Sequence, residues 1–261
     1  MIIKLGGLVA ITGATALFLA LPALGQVPVT VTYNGLAAGD GSTTLTDSQG
    51  TYSQFTGIYN ATVSGPAGER FQGSYYYPAV SDDFNASINY GDTWNATGIR
   101  IQDLNASNID STKFGATIGV VGYVEVAQLV ALQSFGITTL GNISGLTATD
   151  ISEAIWAVTT PGGITSGLSS NAIKLAAWVT NVYGPMANDP QELYEWQLAF
   201  GSIFVLTPSP NGGGQELLVQ TADSAVQVPE GGAALLYLLL AGAACFGAMK
   251  SGFRGRVEVS S

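Results

Sequence analysis

The chain of 261 residues contains no histidine and a single cysteine, Cys245. Without imidazole the commonest general base and the commonest metal ligand are both missing, so Ser-His-Asp triads, HExxH zinc sites and histidine-ligated haem are excluded. One thiol likewise excludes disulfide frameworks, CxxC redox chemistry and thiolate metal clusters. Charge is scarce too: Asp, Glu, Lys and Arg make up 10% of the residues, against roughly 25% in an average soluble domain. Only 8 of them are basic and 18 are acidic, a formal net charge of −10. Binding to a phosphate backbone depends on clustered Lys and Arg, so nucleic acid is excluded as a partner. The chain is instead rich in glycine (34), tyrosine (11) and hydroxyl side chains, with a 47% hydrophobic fraction. That fraction suffices for a core and argues against disorder, and the mixture is of an exported type.

The N-terminus reads as an export signal. Lys4 precedes an apolar stretch from Leu5 to Leu21, and Ala23-Leu24-Gly25 then leads into Gln26. A short positive region, an apolar core and small residues just before the cut suit the export channel and signal peptidase. Residues 1–25 are therefore expected to be a signal peptide, cleaved between Gly25 and Gln26. Thr12, Gly13 and Thr15 interrupt the apolar run, which counts against a retained membrane helix.

The last 34 residues carry a second address. Val228-Pro229-Glu230-Gly231 opens it; the 19 residues from Gly231 to Met249 carry no charge, and Lys250, Arg254 and Arg256 follow. At about 1.5 Å per residue such a helix measures roughly 28 Å, close to the ~30 Å hydrocarbon thickness of a bilayer. Residues 231–249 are expected to span a membrane, with the trailing positive charge on the cytoplasmic side. This layout resembles the PEP-CTERM sorting tail of surface proteins of Gram-negative bacteria, in which a Pro-Glu motif, a membrane helix and a basic end follow one another. The resemblance implies an exosortase-type membrane protease as partner, cleavage near the motif, and delivery to the cell surface or the extracellular polysaccharide matrix. Gly231 stands where the family usually has a second proline, and Gly252, Phe253, Gly255 and the Val257–Ser261 extension spread the terminal charges. The alternative is a plain C-terminal anchor that is never cut.

Between Gln26 and Glu230, four basic residues (Arg70, Arg100, Lys113, Lys174) and 17 acidic ones leave a charge of −13. This favours solubility and repels anionic polymers unless divalent cations mediate contact. From Val29 to about Thr117, alternations such as Val29-Thr30-Val31-Thr32-Tyr33 and Ile58–Val63 predict strands. Turns are expected at Gly39–Gly41, Gly65–Gly68 and Tyr90–Asp92. From about Gly119 the spacing becomes helical, first over Tyr123–Phe135 and then at Ile151, Ala154, Ile155 and Val158. Asp150 with Glu153 makes a capping box for that second helix. Ser169 or Ser170 opens a third, with Ile173, Ala176, Ala177 and Val179 on its face and an end near Gly184. Asp189-Pro190-Gln191-Glu192 starts a fourth, with an acceptor at the cap and proline where no donor is missed. Phe200–Leu206 and Glu216–Thr221 return to strand character around a glycine-rich loop.

A second resemblance lies in this body. Asp82-Asp83-Phe84, Gly91-Asp92-Thr93-Trp94, Thr112-Lys113-Phe114-Gly115, Glu153-Ala154-Ile155-Trp156 and Phe204–Val219 occur in an order similar to a recurrent ectodomain of PEP-CTERM surface proteins, over roughly residues 28–222. That ectodomain is faintly similar to thioester domains of bacterial adhesins, which join a cysteine to a glutamine. Here Ser81 occupies the approximate cysteine position, and serine supplies no thioester sulfur.

Asp82, Asp83 and Asp92, with Asp103, Asp110 and neighbouring asparagines, form an oxygen-rich stretch that invites Ca²⁺. It lacks the spacing of an EF-hand loop, and solvated turn residues are the plainer reading of it. Asp83 with Glu125 or Glu153 would offer two carboxylates for glycoside hydrolysis, and the four tryptophans would offer sugar-stacking faces. No spacing singles out two of the acids, so core tryptophans and surface acids are the plainer reading. Tyr75-Tyr76-Tyr77 would place two rings on one strand face and one on the other. Asn60, Asn85, Asn95, Asn105 and Asn142 each begin an N-x-[ST] sequon.

Taken together, these features predict an α+β fold. One mixed exported domain, residues 26–227, is β-rich in its first half, carries short helices in its second and closes with a β-hairpin; a tail, residues 228–261, holds one transmembrane helix. The expected role is non-enzymatic and without cofactor: a surface or extracellular-matrix protein, anchored in the inner membrane before processing. The expected partners are signal peptidase, an exosortase-type protease, the membrane and extracellular polysaccharide. A secreted carbohydrate-active enzyme and a permanently membrane-anchored adhesion module are the rival readings.

Overall fold

Alternation sets the first strands. In β1 (Gln26–Leu36), Val27, Val29, Val31 and Tyr33 are buried while the residues between them are more exposed. In β4 (Tyr59–Gly65), Tyr59, Ala61 and Val63 do the same, and the two strands pair antiparallel with Val31 opposite Val63. A computed structural model describes residues 25–37, 41–66, 71–209 and 213–221. The signal peptide up to Leu24, the motif Val228–Gly231, the span 231–249 and Lys250, Arg254 and Arg256 lie outside the described residues.

The remaining strands are β2 (Gly41–Thr46), β3 (Thr51–Thr56), β5 (Gly73–Ser81), β6 (Thr93–Arg100), β7 (Thr139–Leu140), β8 (Ile143–Ser144), β9 (Ile203–Pro208) and β10 (Leu217–Gln220). Six of the strands close an antiparallel barrel in the order β1-β4-β5-β10-β9-β6. The helices α1 (Gly115–Ser134), α2 (Ala148–Thr159), α3 (Ser170–Tyr183) and α4 (Pro190–Ala199) are inserted between β6 and β9. The barrel closes only when the strands that follow the helices return to it, so strands from both ends of the described body share one sheet.

Two cores result. The barrel lumen holds Val29, Val31, Val63, Phe71, Phe204 and Leu206 among others. The helical layer holds α1, α2 and α3 against Val80, Ile99, Val205 and Leu218. Strand periodicity connects them: Phe204 and Leu206 point into the lumen while Ile203 and Val205 point at the helices. β9 and β10 therefore have both faces covered, which is why they read as unbroken apolar runs.

α1 is the centre of the helical layer, buried from Gly122 to Gln133. Among the described residues it alone is long and apolar enough to cross a membrane, but α2 and α3 pack around it. An all-round apolar helix fits such a central position. It begins earlier than the spacing predicts, with a break at Gly119, whose φ of +64° lies in the left-handed region that glycine tolerates.

Two helix details differ from expectation. The capping box of α2 is Thr147 with Asp150, not Asp150 with Glu153: Thr147 accepts from the Asp150 N–H, and Asp150 accepts in return. Glu153 is instead held in the interior by other donors, described below. In α3 the buried face is Ala172, Leu175, Val179 and Tyr183, whereas Ile173 is exposed. Ser169 does cap that helix, and Asp189 caps α4, as the sequence predicts.

Candidate functional site

The chain leaves β5 at Ser81 and turns at Asp82-Asp83-Phe84, where the barrel meets the helices. Two bonds from α2 fix this turn: Trp156 Nε1 donates to the Ser81 carbonyl at 2.9 Å, and Thr159 Oγ1 donates to the Asp82 carbonyl at 2.9 Å. Phe84 packs beside the Trp156 ring, 6.4 Å between centroids. Thr112-Lys113-Phe114-Gly115 approaches from the other side. A Cβ at Gly115 would lie 1.9 Å from the Ile109 carbonyl oxygen, so only glycine fits that corner. The start of β10 completes the enclosure with Glu216.

Four of the five segments that carry the ectodomain resemblance thus converge on one place. The fifth forms the other wall of the loop before β10: the Gly214 backbone lies on the Trp94 ring, where a Cβ would come within 2.6 Å.

The polar groups enclosed here are unequal. Glu216 is fully buried and well supplied with donors: Oε1 accepts from the Tyr123 hydroxyl at 2.5 Å, and Oε2 accepts from the Lys113 N–H at 2.8 Å and from the Thr207 hydroxyl. Asp83 is buried and ion-paired with Lys113, whose side chain is 39% exposed and whose ammonium lies 5.7 Å from the Phe114 ring centroid. Asp82 is also fully buried, yet neither of its carboxylate oxygens meets a donor. Burial, with the Glu216 carboxylate beside it, pushes the Asp82 carboxyl well above its ordinary range. Burial next to the same acids raises the Tyr123 phenol too.

The candidate calcium ligands are not brought together. Asp82 and Asp83 are buried at this junction rather than solvated in a turn, a correction to the plainer reading. Asp92 sits in the turn before β6, accepting from the Asn89 N–H at 2.7 Å. Among the described residues no three His, Cys, Asp or Glu side chains are placed to share a metal ion.

The candidate carboxylate pairs fall into separate networks. Asp83 faces Lys113; Glu125 accepts from Thr180 at 3.2 Å; Glu153 accepts from Thr43 at 2.7 Å and from the Ser169 N–H at 2.8 Å, tying the β2–β3 hairpin to α3. Ser81 exchanges hydrogen bonds with the Asp83 backbone. Trp94 and Trp156 are core residues, and Trp196 stacks on Phe200. Tyr75 and Tyr76 are exposed, while Tyr77 packs on Phe71. The sequon residues Asn85, Asn95, Asn105 and Asn142 are exposed and Asn60 is half-buried. Gln26 is the first residue of β1, paired with Ile99 of β6, so the expected signal cleavage point adjoins the barrel.

Open grooves lie on the barrel among the described residues. One of about 520 Å³ is lined by Thr30, Ser64, Asn95, Thr97 and neighbours, and one of about 370 Å³ by Tyr33, Leu36, Phe55, Ile88, Asn89 and Tyr90.

Sequence reasoning missed Glu216 and Tyr123. Two signals pointed to them: an acid directly before the apolar run Leu217-Leu218-Val219, and Lys113 as one of four basic residues in the body. The geometry defines a class: a six-stranded antiparallel barrel with a helical layer on one side and a closed acidic cluster at their junction. Comparison with protein-family models, with curated proteins and with solved structures finds no match for this chain.

Proposed function

We propose that the protein is a non-enzymatic surface or extracellular-matrix protein, exported through its N-terminal signal and sorted through its tail by an exosortase-type membrane protease. The observation that carries this reading is the layout of the C-terminal segment: Val228-Pro229-Glu230-Gly231, an uncharged stretch of membrane length, and Lys250, Arg254 and Arg256. Proline lacks a donor and disfavours helix before it, which suits a motif that a membrane protease must read.

The body supports the non-enzymatic part of the reading. Two of its buried acids serve as internal ties, Glu153 between hairpin and helix, Glu216 between β10 and α1. Its acidic surface suits contact with neutral polysaccharide better than with polyanions.

The test is processing in a host that has an exosortase. The wild type is expected as a shortened form outside the inner membrane, and Pro229→Ala with Glu230→Ala as the full-length form trapped within it. If both stay full-length and membrane-bound, the tail is an anchor and the protein is a permanently anchored adhesion module.

A further inference from the structure

We propose that Asp82 and Glu216 together bind one proton, and that this proton is a structural ligand locking the barrel to the helical layer. The inference is independent of how the protein is sorted.

It rests on counting donors. An ionised carboxylate offers about four acceptor positions. Glu216 fills three of them, with Tyr123, Thr207 and the Lys113 N–H. Its fourth position is open, and Asp82 lies beside it with two oxygens that no donor reaches. Two carboxylates side by side cannot bond each other; a carboxylic acid and a carboxylate can. A proton on Asp82 gives Glu216 its fourth donor and leaves one charge in the enclosure instead of two. The proton resides on Asp82 because three donors already point at Glu216, while the buried side-chain oxygens of Asp82 have no hydrogen-bond partner.

The other charged or titratable groups facing the pair fit this assignment. Asp83 adds negative charge from the same turn, and Tyr123 of α1 donates as a neutral phenol. Lys113, in the segment before α1, directs its ammonium to Asp83, not to Asp82. From α2 the turn receives only Trp156 and Thr159, which carry no charge. A bound cation is a poorer occupant, since Glu216 has only one acceptor position left.

The location gives the proton its consequence. Asp82 follows β5, Glu216 precedes β10, Thr207 belongs to β9 and Tyr123 to α1, so one shared proton joins three barrel strands to the central helix. In the unfolded chain Asp82 has its ordinary value near 3.8. Folding therefore takes up a proton at any pH between that value and the raised folded one. The sign follows: the stabilisation is complete below the ordinary aspartate value and is lost as pH rises through the raised folded value.

The experiment compares the full chain, in mild detergent, with Asp82→Asn in denaturant unfolding from pH 5 to pH 9. Asparagine gives Glu216 a permanent N–H donor of the same shape. The wild type is expected to lose ground steadily, its folding equilibrium constant falling against that of the variant by up to tenfold per pH unit. A ratio independent of pH would overturn the proposal. Should the variant fail to fold, infrared spectroscopy of the folded wild type decides: a protonated-carboxyl band that persists at neutral pH and vanishes on unfolding supports the proposal, and its absence overturns it. Calcium that stabilises the wild type and abolishes that band would also overturn it, making the pair a cation site.

Discussion

The two sides of the barrel are built by different rules. β1 and β4 turn one face to the lumen and the other to water, so their sequences alternate: Val29-Thr30-Val31-Thr32 and Ala61-Thr62-Val63. β9 and β10 turn one face to the lumen and the other to the helices, so Ile203-Phe204-Val205-Leu206 and Leu217-Leu218-Val219 carry no alternation of polarity, although their side chains still alternate between two cores. The difference teaches that apolar continuity in a strand reports how many faces are covered, and that the helical layer is an integral wall of this barrel.

The largest test of that contrast removes a side chain from each region. Leu218→Ala opens a cavity on the helix side of β10 and is expected to cost about 2–5 kcal/mol. Thr32→Ala, on the wet face of β1, loses only an exposed hydroxyl contact to Thr93 and should stay within about 0.5 kcal/mol. Denaturant unfolding of both variants checks the pair; equal costs would break the comparison.

A smaller effect is expected at the seam. Trp156→Phe keeps an aromatic ring against Phe84 but deletes the donor that α2 gives to the Ser81 carbonyl. Loss of a buried hydrogen bond with its acceptor left behind costs about 1–3 kcal/mol. Gly214→Ala belongs in the same range, because the new Cβ collides with the Trp94 ring. Thermal unfolding that leaves either variant unchanged would mean that the loop before β10 does not depend on the junction.

Most of this architecture was legible because local chemistry announces it. Ser169 and Asp189 mark helix starts through their own side-chain oxygens, and the alternation in β1 and β4 needs only neighbours in sequence. The start of α2 was misplaced because two acceptor pairs at the same spacing overlap there. Only burial decides between them: Glu153 is drawn inward by Thr43 and Ser169. The exposed position of Ile173 was invisible for a similar reason, since α3 presents its face to α1 and α2 and that choice is tertiary. The acidic junction was least legible. Asp82 looked like a solvated turn residue, and Glu216 looked like the edge of a hairpin. Their meeting requires the barrel to close, and no local pattern records that event.

The cap of α2 offers a finer probe. Thr147→Ala removes the acceptor for the Asp150 N–H, and a lost N-cap costs about 1 kcal/mol. Circular dichroism during unfolding should show the helical layer weakened while the fold is kept. A loss well above the usual cap value would mean that the β2–β3 hairpin, which leans on α2 through Thr56 and Thr149, leaves with it.

The smallest effect sharpens the contrast between the closed junction and the rim of the helical layer, because the acids there respond to pH with opposite sign. Asp150 accepts from Thr147 Oγ1 at 2.7 Å and from Ser169 Oγ at 2.5 Å. Burial alone would raise its carboxyl, but the hydrogen bonds from Ser169 and Thr147 outweigh that and hold it below its ordinary value of 3.8. A carboxyl lowered on folding stabilises the protein above its unfolded pKa, and that contribution is lost as pH falls through the folded value. Asp82 does the reverse and loses its contribution as pH rises. Asp150→Asn should therefore cost no more than about 1 kcal/mol at neutral pH, because asparagine keeps an oxygen acceptor for the same hydroxyl donors. That cost should shrink toward zero in strong acid. In the double variant with Asp82→Asn, the acid and alkaline effects should add, since the two groups share no hydrogen-bond partner. A pH-independent cost for Asp150→Asn would show that its hydroxyl donors stabilise the helix start whether the carboxyl is charged or not.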